Sequence, residues 1–76
     1  MNKQLIAYRK ILNMSQTEMA KAIGIGLTSY NFKETGKSDF TQSEMLSIWK
    51  IIKRYNPKVT IDELFFKKTV NIMITN

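Results

Sequence analysis

Cysteine and histidine are both absent from the chain, and proline occurs once. Without thiols there is no disulfide and no thiolate metal site, and without imidazole the usual zinc centres and nucleophile–base pairs cannot be assembled. No cofactor and no enzymatic activity are therefore expected. Acidic residues are scarce too: six Asp and Glu face twelve Lys and Arg, a net charge of +6 with a pI near 9.8. That imbalance favours polyanions as partners, nucleic acid or an anionic membrane surface, although lysines that only keep a small protein soluble would give the same sum. Long apolar runs are missing, and the stretch MNKQLIAYRK is polar and charged where a signal peptide would be apolar. Neither export nor a membrane span is expected, which makes the cytoplasm the expected location.

What is present suits one compact domain with a small core, since a chain of 76 residues buries only a modest part of its surface. Its clearest signals are helix starts. SQTE (Ser15 to Glu18), TQSE (Thr41 to Glu44) and TIDE (Thr60 to Glu63) each place a hydroxyl three residues before a glutamate. This is the capping-box spacing, which satisfies the orphan amides of a helix N-terminus. Each box is flanked by apolar residues at the staple positions, Met14 with Met19, Phe40 with Met45, and Val59 with Leu64. Helices are expected to start near residues 16, 42 and 61.

Two further helices follow from periodicity. Leu5, Tyr8 and Leu12 share a face at helical spacing, which predicts a first helix from about Lys3 to Asn13. After the second helix, Gly24 stands where a left-handed C-terminal cap is wanted, with Ile25 plugging the corner. The third helix then runs from about Leu27 to Thr35 and is closed by Gly36. The fourth is expected from Gln42 to about Tyr55, stopped by Asn56 and Pro57, and the fifth from Ile61 to Phe66. Trp49, Ile52, Leu46, Ile61, Leu64 and Phe65 are assigned to one core. The fold class is all-α, five short helices, with the second and third joined through GIG. A helix pair joined by a tight glycine turn is the arrangement whose second helix enters the DNA major groove.

These residues also carry a resemblance. MSQTEMAKAIGI, Glu34-x-Gly36 and Asp62-Glu63-Leu64-Phe65 together resemble the phage Cro and repressor family of helix-turn-helix regulators, the lambda-repressor-like domain, from Leu5 to Phe65. The resemblance implies a five-helix fold with the third helix as the reading helix. It also implies that Gln16 grips a phosphate at the start of the second helix, and that Arg9 pairs with Glu34.

A helical wheel turns Tyr30 and Glu34 toward the body, points Thr28, Phe32 and Thr35 outward, and puts Leu27, Ser29 and Asn31 on the flanks. Leu27, Thr28, Asn31 and Phe32 are the candidate base contacts: the first two and the ring press on thymine methyl groups while Asn31 supplies a hydrogen bond. Gln16, Ser29, Lys21, Lys33 and Lys37 are the candidate phosphate contacts, with Lys10 nearby. Gln16 has a plainer alternative as a solvated first-turn residue, and Phe32 has one as a protein-binding anchor. The chain departs from the family pattern in three ways. Its third helix offers no outward glutamine or arginine, Lys33 stands where an apolar residue is usual, and KRYNPK lengthens the fourth helix.

The end of the chain changes period. Val70, Ile72 and Ile74 alternate with Asn71, Met73 and Thr75, which suits a β-strand needing a partner, either its twin across a two-fold axis or, failing that, none in a frayed tail. The expected organisation is a DNA-binding domain over residues 1–66 and a possible dimerisation strand over 67–76. Two functions are expected from these features. One is a Cro-like repressor, of prophage type, that binds a double-stranded DNA operator as a homodimer. The other is an antirepressor of the same fold, docking on a partner regulator through Leu27 and Phe32.

Overall fold

The computed structural model describes residues 2–66. They form α1 (Lys3–Ile11), α2 (Gln16–Ile23), α3 (Leu27–Glu34), α4 (Gln42–Tyr55) and α5 (Ile61–Phe65). The expected strand over 67–76 lies outside the described residues. Among the described residues no helix is long and apolar enough to cross a membrane.

Local chemistry accounts for most of the helix boundaries. Ser15 and Thr41 each accept from the backbone amide of a glutamate three residues on, and Glu18 and Glu44 return the bond to the cap backbone, completing two capping boxes. The third box is only half formed, because Thr60 accepts from Glu63 N but the glutamate takes the Thr60 hydroxyl rather than the backbone amide. The cap of α1 is Asn2, which sequence reasoning overlooked. Its Oδ1 accepts from Leu5 N, its Nδ2 donates to Leu64 O at 2.7 Å and its backbone N donates to Glu34 O at 3.0 Å. One residue thus caps the first helix and ties it to the ends of α3 and α5.

α1 ends two residues earlier than expected, at Ile11, because Asn13 adopts the left-handed conformation (φ 59°) and the chain turns there. Thr35 likewise falls just outside α3 as its C-cap, with Gly36 at φ 92° and Lys37 N bonded to Phe32 O. α4 stops where the extended Asn56 precedes Pro57.

The core is Leu5, Met19, Ala20, Tyr30, Ile48, Ile52, Val59 and Leu64, so every helix contributes to it. Phe40 packs edge-on between Tyr30 and Phe65, with ring centroids 5.8 and 5.6 Å apart, and carries the core from under α3 to α5. Trp49 packs against this core and donates its indole N–H to Val59 O. Leu46 and Ile61 depart from expectation: Leu46 stays 43% exposed, and Ile61, at the first position of α5, is half-buried outside this cluster. The buried stripe of α4 runs through Ile48 and Ile52, and a residue two positions before Ile48 lies about 200° around the helix from it.

Candidate nucleic-acid interface

α2 and α3 pack against each other across a corner of three residues. Gly24 makes the corner with φ 82°, a left-handed conformation that a side chain would strain. Ile25 N then donates to Ala20 O at 3.0 Å and Gly24 N to Lys21 O, closing α2 in a Schellman motif. The same turn points Ile25 onto the core and delivers Gly26 as the N-cap of α3.

The inward face of α3 is fully committed. Tyr30 is completely buried and Glu34 is 1% exposed. Glu34 receives Arg9 through two bonds, Nε to Oε2 at 2.9 Å and Nη2 to Oε1 at 3.1 Å, together with the Tyr30 hydroxyl at 2.6 Å and Gln16 Nε2 at 2.8 Å. Arg9 uses its remaining nitrogen, Nη1, on Met14 O. Among the described residues, no buried side-chain polar atom lacks a partner. Burial pushes the Glu34 carboxyl up, but the bonds from Arg9, Tyr30 and Gln16 outweigh it and hold the group below its ordinary pKa. The bond to Glu34 raises Arg9, and burial followed by the neighbouring carboxylate raises the Tyr30 hydroxyl, so all three keep these protonation states at neutral pH.

Three expected contact residues are bonded inside the protein. Lys33, a candidate phosphate ligand, instead folds against α4 and donates to both carboxylate oxygens of Glu44 at 2.7 and 2.9 Å, with only 14% of its side chain exposed. The attraction is strong because Glu44, already fixed by its capping box, presents a preoriented carboxylate. Asn31, a candidate base contact, is half-buried and donates Nδ2 to Gln16 Oε1 at 3.2 Å. Gln16, a candidate phosphate ligand, therefore has both ends of its amide engaged, one by Asn31 and one by Glu34. Neither the Lys33–Glu44 nor the Gln16–Asn31 contact has a local spacing that could have disclosed it, since both bridge different helices.

The outward face of α3 is the reverse. Leu27 and Phe32 are 47% and 43% exposed, and Thr28 and Ser29 stand in solvent in the first turn. Thr35 turns its hydroxyl back onto Asn31 O. No side chain caps α3, which leaves its first amides open at the positive end of the helix dipole. Lys37 lies with Nζ 5.2 Å from the Phe32 ring centroid, and Lys21 is exposed in the last turn of α2. The only acid on α3 is Glu34, which is buried and paired, so this face is apolar and hydroxylic with cations beside it. It is equipped for an anionic surface that also presents apolar groups.

A family model described as helix-turn-helix matches residues 5–64. No curated protein and no solved structure matches the chain.

Proposed function

The chain belongs to the helix-turn-helix family of DNA-binding transcription regulators and binds double-stranded DNA; from that premise we propose that it is a Cro-like repressor of phage type, with α3 in the major groove. The observation that carries the proposal is the division of α3 into a saturated inner face and an unsatisfied outer one. Leu27, Thr28 and Phe32 face base edges, while Ser29, Lys21, Lys37 and the open first-turn amides take phosphates. Arg9, Glu34, Gln16 and Asn31 hold the helix at the depth and angle this needs, so their role is positioning. Two copies about a two-fold axis would place their α3 helices in successive major grooves, about 34 Å apart. The dimer then represses by occupying its operator and excluding polymerase.

Fluorescence-anisotropy binding tests this directly, using the DNA flanking the gene against a scrambled duplex over about 50 to 200 mM salt, where phosphate contacts alone produce a steep loss common to both. A preference for the native fragment of about a hundredfold, abolished in Phe32→Ala, is the expected result. Equal weak binding to both duplexes would refute the repressor reading and move Leu27 and Phe32 to a protein partner, as an antirepressor requires.

A further inference from the structure

Most major-groove readout uses side chains that pair two hydrogen bonds with one base edge. α3 carries two side chains long and polar enough to attempt a base contact of this sort, Asn31 and Lys33, and both are bonded within the protein. What remains outward is hydrocarbon: the Leu27 side chain, the Thr28 methyl and the Phe32 ring, accompanied only by the short hydroxyls of Thr28 and Ser29. Among base edges the C5 methyl of thymine is the apolar group in the major groove. Pressing Phe32 or Leu27 on any other edge would cover donors and acceptors without pairing them, which is penalised. The cation beside the ring fits the same surroundings, because Lys37 Nζ sits at the margin of the apolar patch, where a duplex presents phosphate.

We infer that α3 recognises its DNA chiefly through thymine C5 methyl groups, with Leu27, Thr28 and Phe32 as the specificity-determining residues. The inference rests on the DNA-reading role given to α3 above and specifies the chemistry that it reads. Discrimination then has an attractive part, the methyl contact, and a repulsive one, the unpaired polar edge of a wrong base.

The test starts by selecting bound sites from a randomised duplex library with the full chain. Thymines of the selected duplex are then replaced one at a time by deoxyuridine, which deletes the methyl and leaves the pairing and hydrogen-bonding edges intact. At one or more positions in each half-site the replacement should weaken binding about fourfold, the factor for losing one buried methyl contact. The same replacement should have no effect on Phe32→Ala or Leu27→Ala at the matching position. Both side chains are about half exposed, so these variants keep the fold, and a thermal melt of each verifies it. If the selected duplex is still preferred over a scrambled one but every deoxyuridine duplex binds as tightly as its parent, the methyl inference is overturned and the DNA-reading role survives. If the library yields no preferred duplex at all, both fall together.

Discussion

α2 and α3 are each eight residues long, are separated by a single turn and both end on a left-handed glycine, yet their N-termini are completed in opposite ways. α2 is finished by its own sequence: Ser15 and Glu18 close its N-terminus reciprocally, and Gly24 closes its C-terminus. α3 begins on an uncapped glycine and is held from outside, by Arg9 and Gln16 on Glu34, by Glu44 on Lys33, and by the rings packed around Tyr30. A helix saturated by local bonds has little left to offer a ligand and serves as a platform. One whose position is fixed by long-range contacts can leave its first amides and its outer face unused, and these are what a duplex requires. Stability and binding are thus divided between two helices of eight residues, one on each side of the turn.

The strongest way to break this arrangement is to remove the external hold on α3. Glu34→Ala leaves Arg9 Nε and Nη2 and the Tyr30 hydroxyl buried without their acceptor, with Met14 O alone still holding Nη1, and should cost about 3–5 kcal/mol in urea denaturation. For a chain this small that is a large share of its total stability. Acid attacks the same hold more gradually. Because the folded pKa of Glu34 lies below its ordinary value of 4.5, the carboxylate's contribution is complete above that value and is lost as pH falls through the folded pKa. Urea midpoints measured from neutral to acid pH should therefore decline below about 4.5.

Smaller changes sharpen the contrast between the two N-termini. Ser15→Ala removes the cap of α2 and should cost about 1 kcal/mol, with DNA affinity affected only through stability. Gly26→Asp does the opposite to α3. A Cβ there meets no atom within 4 Å and the backbone is already extended, so the new cap should add a few tenths of a kcal/mol. It also fills the open amides with a negative charge, and DNA affinity should fall by about tenfold with a shallower salt dependence. A variant more stable in denaturant and weaker in anisotropy would show that the bare N-terminus of α3 is kept for its ligand.

The parts of this molecule that were legible in the sequence are those fixed within four or five residues. The hydroxyl–glutamate spacings marked the starts of α2, α4 and α5, and Gly24, Gly36 and Pro57 marked the ends of α2, α3 and α4, because caps and turns are local bonds. Asn2 escaped notice because no glutamate follows it to complete a box, and its other bonds reach residues 34 and 64. Leu46 was misplaced because an apolar residue on an amphipathic helix does not declare on which side of the stripe it falls. The division of labour on α3 was half legible. Periodicity set Tyr30 and Glu34 inward and Phe32 outward, but the capture of Lys33 by Glu44 and of Asn31 by Gln16 depends on how α3 meets α4 and α2, which spacing along one helix does not encode.

The proposed function puts DNA on the outer face of α3 rather than on the side of α4 that carries Lys50, Lys53 and Arg54, or in the apolar hollow that Met45, Leu46, Ile61 and Phe66 line between α4 and the end of α5. Amide chemical-shift perturbation on adding a selected duplex tests it most directly. The largest shifts are expected at Leu27, Thr28, Ser29, Phe32 and Lys37, with Leu46, Ile61 and Phe66 little changed. Shifts centred on Leu46, Ile61 and Phe66, or on Lys50, Lys53 and Arg54, with the amides of α3 unmoved, would contradict it.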